Sequence, residues 1–108
     1  MVIPLRRVSM SYAVISEWVS KNSRQSAEGQ AQEQAAKEKF APGVMALGAK
    51  AVYFIYTSDT TFNVVTIYPD EATATNAAEK QRAIRAQAST ELPVSMTGEV
   101  RGEVFASS

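Results

Sequence analysis

The sequence predicts an α+β domain: a four-stranded antiparallel sheet with two helices on one face. Three observations predict it. Strand-like and helix-like runs follow one another in the order β-α-β-β-α-β, capping residues or prolines mark the junctions, and 108 residues suffice for one hydrophobic core and no more.

Ser11 to Val19 alternates along its length, with Tyr12, Val14, Ser16 and Trp18 on one face and Ala13, Ile15, Glu17 and Val19 on the other, which is a strand signature. The polar stretch Ser20 to Ser26 follows, where Ser23 or Ser26 can cap a helix by satisfying an unpaired amide. Ala27 to Ala41 is rich in helix-forming Ala, Gln, Glu and Lys, and its expected apolar stripe of Ala27, Ala31, Ala35 and Phe40 is thin. Pro42-Gly43 is expected to end this helix, and Val44, Met45 and Leu47 to cover the core before Gly48.

Ala49 to Thr57 and Thr61 to Tyr68 are dense in Val, Ile, Tyr, Phe and Thr and flank the short turn Ser58-Asp59-Thr60, so a hairpin is expected. In a simple register Tyr53, Ile55, Phe62, Val64 and Tyr68 share one face and Val52, Phe54, Tyr56, Asn63, Val65 and Ile67 the other. Both faces are apolar, whereas helices cover only one, so something else must cover the second. Pro69-Asp70-Glu71 opens the second helix, with Asp70 as N-cap and Ala74, Ala77, Ala78, Ile84 and Ala88 as its apolar stripe. Lys80, Arg82 and Arg85 are read as a solvated face, with an anion-binding surface as the alternative. After Leu92-Pro93, Val94 to Phe105 reads as a strand with Val94, Met96, Val100 and Val104 on its apolar side and a bulge or close contact at Gly98 and Gly102. The element order is the ferredoxin-like split βαβ arrangement.

Composition narrows the function classes. Basic and acidic residues number 11 each, so no net positive field draws the chain to nucleic acid, and Phe62 to Tyr68 lacks the basic-glycine-aromatic pattern of an RNA-recognition strand. There is no cysteine and no histidine, which removes disulfides, thiolate nucleophiles, the usual zinc ligands, a histidine haem ligand and the commonest general base. Asp59, Asp70 and Glu71 are scattered and read as turn and cap residues rather than metal ligands, so no metal and no cofactor is expected. No apolar run is long enough to span a bilayer, and Val2 to Met10 lacks a secretory pattern; a cytoplasmic location and no membrane partner are expected. Met10 directly precedes the first patterned strand, so residues 1–9 are expected to be an N-terminal extension and residues 10–106 a single domain.

Three segments carry a resemblance to a known family: Tyr12-Ala13-Val14-Ile15-Ser16-Glu17-Trp18, Gly48-Ala49-Lys50-Ala51, and Val64-Val65-Thr66-Ile67-Tyr68-Pro69-Asp70-Glu71-Ala72. Over roughly residues 10 to 106 the chain resembles the dimeric α+β barrel superfamily, in particular its antibiotic-biosynthesis-monooxygenase-like domains. The resemblance implies a homodimer in which two sheets face each other through their open faces, so that a second copy would cover the second apolar face. Members include cofactor-independent monooxygenases, haem-degrading enzymes, isomerases and domains with no known reaction. The haem-degrading branch uses an Asn, Trp and His set, and the missing histidine disfavours it here.

Two functional readings follow. In one, a cavity between sheet and helices takes a small hydrophobic ligand, an aromatic or polyketide-type substrate, and the substrate itself supplies electrons to oxygen; in the alternative, a noncatalytic dimer binds a ligand or serves as a structural partner. Tyr12, Trp18, Tyr53, Tyr56, Asn63 and Tyr68 are the candidate substrate-binding residues, with a tyrosine as hydrogen-bond donor or, were its pKa lowered, as proton acceptor. Alternation along the strands sends only about half of them to any one face.

Overall fold

The computed structural model describes residues 10–108, so the expected extension lies outside the described residues. The elements are β1 (Tyr12–Ser20), α1 (Ala27–Ala35), a π-helical turn (Ala36–Phe40), α2 (Ala41–Met45), β2 (Ala51–Tyr56), β3 (Thr61–Tyr68), α3 (Glu71–Glu91) and β4 (Val94–Glu103). All pairings are antiparallel and the strand order is β2-β3-β1-β4, with β1 and β3 in the centre. This is the ferredoxin-like fold expected from the element order.

Both main helices start where the sequence places their caps. Ser26 Oγ accepts from the Gly29 amide (3.0 Å), and Asp70 Oδ1 accepts from both the amide and the hydroxyl of Thr73 (2.7 Å each), which holds the Asp70 carboxyl below its ordinary range. Gly29 lets α1 begin flat against the preceding loop, because a Cβ there would lie 2.1 Å from the Ser23 carbonyl oxygen.

The first helical region departs from expectation twice. Pro42-Gly43 does not end it; the chain widens into a π turn in which the Ala41 amide reaches the Ala36 carbonyl, and Pro42 enters the first turn of α2. Proline lacks an amide hydrogen and clashes with the carbonyl four residues back, and the wider turn before it accommodates both. Phe40 is buried as expected, but Ala27 and Ala31 are exposed, and Gly29, Gln32, Glu33 and Ala36 line the interior instead.

The hairpin faces also differ. Thr57 and Thr61 close the turn, joined through Thr57 N to Thr61 O (3.0 Å), and the residues between them, Ser58, Asp59 and Thr60, are odd in number. Val52, Phe54 and Tyr56 therefore lie opposite Thr66, Val64 and Phe62 on the helix face, while Tyr53 and Ile55 lie opposite Val65 and Asn63 on the open face. The expected grouping would need an even-numbered turn. In β4, Glu17 pairs with Gly98 but Trp18 with Met96, so Thr97 is an extra, bulged residue. The bulge splits the expected apolar side: Val94 and Met96 share the helix face with Glu99 and Arg101, and Val100 turns to the open face.

On the helix face the core forms two clusters. Tyr12, Val14 and Tyr68 pack directly under Ala74 and Ala77 of α3; Trp18, Val64 and Val94 gather Val52, Phe62, Ala88 and Leu92 around them. The open face stays apolar, with Tyr53, Ile55 and Val100 at 56%, 46% and 60% exposure.

Candidate functional site

Alanines let α3 approach one end of the sheet closely, but the π turn and α2 cross the other end on the larger Phe40 and Val44, and a cavity of about 640 Å³ remains beneath them. Its walls are largely apolar: Trp18, Phe40, Val44, Val52, Phe62 and Ile84. Trp18 and Phe62, facing each other across β1 and β3, stack with ring centroids 5.9 Å apart and planes within 7°.

Polar groups are confined to the mouth and the floor. At the mouth the Arg24 guanidinium lies 3.9 Å above the Tyr56 ring, the Tyr56 hydroxyl donates to Glu33 (2.8 Å), and Lys37 pairs with Glu33 (3.1 Å), so loop, helix and edge strand are tied together. The hydrogen bond from Tyr56, then Lys37, holds the Glu33 carboxyl below its ordinary range. Desolvation, then Glu33, pushes the Tyr56 hydroxyl above its own. At the floor Trp18 Nε1 donates to Ser16 Oγ (2.7 Å), and Gln81 from α3 bridges the Tyr68 hydroxyl (2.8 Å) and Thr66 Oγ1 (3.2 Å). Burial raises the Tyr68 hydroxyl's pKa, so it stays a donor.

Arg85 lines the cavity one helical turn beyond Gln81 and is not part of a solvated face as expected; it pairs with Glu99, which Arg101 also contacts (2.8 Å), while Lys80 and Arg82 are exposed. Burial alone would raise the Glu99 carboxyl, but the hydrogen bonds from Arg85 and Arg101 together bring it below its ordinary range.

The structure brings Trp18 and Tyr56 to the cavity. Tyr53 borders it along β2 but shares the open face with Val65, and Asn63 lies on that open face between Glu17 and Ile55. Tyr12 and Tyr68 are buried in the cluster under α3, where Tyr68 touches the site only through Gln81. Sequence reasoning passed over Ser16 and Gln81. The signal was there: Gln81 continues the spacing Ala74, Ala77, Ile84 and Ala88 of the α3 stripe, and Ser16 falls between Val14 and Trp18 on the buried face of β1. A polar residue on an apolar stripe is the informative exception. Among the described residues no acidic cluster is placed to hold a metal ion, and no helix is long and apolar enough to cross a membrane.

No family profile matches the chain, and no curated protein matches it by sequence. Solved structures do match its fold. The chain is similar to SnoaB, a cofactor-independent oxygenase from Streptomyces nogalater (11% identity, 92% of this chain and 97% of that one, TM-score 0.60). It is similar to the ActVA-Orf6 monooxygenase of Streptomyces coelicolor in complex with Nanaomycin D (13% identity, 92% of this chain and 90% of that one, TM-score 0.60). A dimeric ferredoxin-like protein from an uncultured marine organism also matches (12% identity, 93% and 100%, TM-score 0.55). These proteins share the ferredoxin-like α+β fold that the chain adopts.

Proposed function

We propose that the protein is a homodimeric small-molecule-binding protein whose cavity takes an aromatic or polyketide-type substrate and supports its cofactor-independent oxygenation. The observation that carries this reading is the cavity itself: its volume of about 640 Å³ and apolar walls suit a flat aromatic ligand. The fold likeness to SnoaB and to the Nanaomycin D-bound monooxygenase supports the reaction class. In that chemistry an electron-rich substrate reduces oxygen directly, and the protein orients the ring and excludes water. Trp18 and Tyr56 would contact the ring.

A second copy covers the open face. Tyr53, Ile55 and Val100 form an apolar surface there, and likeness to a dimeric protein of the same fold favours a copy of this chain over another partner. Sedimentation at micromolar concentration should give a dimer, and a stable monomer would contradict it.

One observation favours the noncatalytic reading: at the cavity mouth Tyr56 and Glu33 are shifted away from neutrality, in opposite directions, so neither is poised as a general base. Oxygen uptake with a panel of hydroquinones and anthrones in metal-free buffer decides between the two. Turnover that falls on Trp18→Phe supports the oxygenase; tight binding without oxygen uptake supports the ligand-binding protein.

A further inference from the structure

Among the described residues, the floor of the cavity holds two hydrogen-bond donors, on Ser16 and Gln81, with no acceptor facing them. Ser16 and Gln81 both line it, yet they are only 2% and 4% exposed. A serine hydroxyl offers one donor and two acceptor sites. Among the described residues the bond that Ser16 Oγ makes is the one it accepts from Trp18 Nε1, so its own O–H remains available. That accepted bond also polarises the hydroxyl and strengthens it as a donor.

The Gln81 amide has one oxygen and two N–H groups. Its two partners, Tyr68 and Thr66, are both hydroxyls. Whichever way the amide is turned, they use the oxygen and one N–H, and one N–H remains. The two donors are neighbours. Ser16 faces Val64 and Thr66 faces Val14, so Ser16 and Thr66 are diagonal on one face of the sheet, roughly 7–8 Å apart, and Gln81 reaches down onto Thr66.

We infer that Ser16 and Gln81 form an oxygen-recognition subsite that donates to a carbonyl or phenolate oxygen on the leading edge of a planar aromatic ligand and favours its anionic form. This deepens the proposed function and rests on the cavity being the ligand site. A buried donor with no acceptor is costly, and an incoming ligand oxygen relieves that cost where the apolar walls cannot. The local charges suit an anion. Arg24, Lys37 and Arg85 line the cavity against Glu33 and Asp59; Glu99 is occupied by Arg85 and Arg101, Glu33 is held at the mouth by Tyr56 and Lys37, and Asp59 accepts from the Ser23 hydroxyl.

The probe is alizarin, a planar phenol whose phenolate absorbs at longer wavelength than the neutral dye. Titrating the full chain gives its Kd and, from the phenolate band against pH, the apparent pKa of the bound dye. The pKa is the decisive readout, because loss of packing alone weakens binding without moving it. Wild type should bind alizarin and lower its pKa relative to free dye. Ser16→Ala should weaken binding roughly tenfold and return the bound pKa toward the free value, and Ser16→Thr, which keeps the hydroxyl, should restore most of both. Gln81→Met should act in the same direction, and it carries the test if Ser16→Ala does not fold. A folded Ser16→Ala protein with unchanged Kd and pKa would overturn the subsite while leaving the cavity as the ligand site. Failure of the wild type to bind would overturn both readings together.

Discussion

The two ends of the helix-covered face are built from the same sheet and differ in what lies over them. Under α3, Tyr12, Val14 and Tyr68 meet Ala74 and Ala77, and small side chains let the helix sit close, so this end is solid. At the other end Trp18 and Phe62 line a cavity together with Phe40 and Val44 of the π turn and α2 and Ile84 and Ala88 of the later turns of α3. The same contrast holds for the tyrosines: Tyr68 is fully buried with its hydroxyl on Gln81, whereas Tyr56 stands at the cavity mouth beside Arg24. The solid end supplies stability and the hollow end supplies a binding site.

Adding the same methylenes at each end should separate them most sharply. Ala77→Leu forces an isobutyl group into packed space and is expected to cost about 2–3 kcal/mol in chemical denaturation. Ala88→Leu, at the cavity wall, should cost under about 1 kcal/mol because the cavity receives the group, yet it should abolish ligand binding. Equal losses at both sites would break the comparison.

The tyrosines sharpen it at smaller magnitude. Tyr68→Phe leaves Gln81 short of a buried partner and should lose about 1–2 kcal/mol, while Tyr56→Phe, at an exposed mouth, should lose under about 0.5 kcal/mol.

The smallest effect concerns Glu99. Its folded pKa is lowered, so its stabilisation is complete above the ordinary value of 4.5 and is lost as pH falls through the folded value. Melting curves of Glu99→Gln should therefore lose part of the acid dependence seen in wild type below about pH 4.5, an effect under about 1 kcal/mol for a cluster that solvent still reaches in part.

Much of the fold was legible because it rests on local signals. Ser26 and Asp70 cap the helices, Pro69 and Pro93 mark junctions, and β-branched runs mark the strands. The errors arose where one residue shifts a phase. The turn Ser58-Asp59-Thr60 was itself legible, but its odd length pairs Tyr56 with Phe62 and so swaps the hairpin faces; the bulge at Thr97 moved Val100 to the open side, and the π turn carried the helix past Pro42. Alternation reports a period but not its phase across a turn or bulge. The site was less legible still, because aromatic residues drew attention while the buried polar pair, Ser16 and Gln81, was hidden among core positions.

Trp18 is the chain's single tryptophan and it lines the cavity, so its fluorescence reports directly on whether a planar aromatic ligand enters there. Titration with alizarin should quench the emission saturably, at one ligand per chain, and Ala88→Leu should abolish the saturable part. Linear quenching that never saturates and is the same in Ala88→Leu would contradict a ligand site at this end of the sheet.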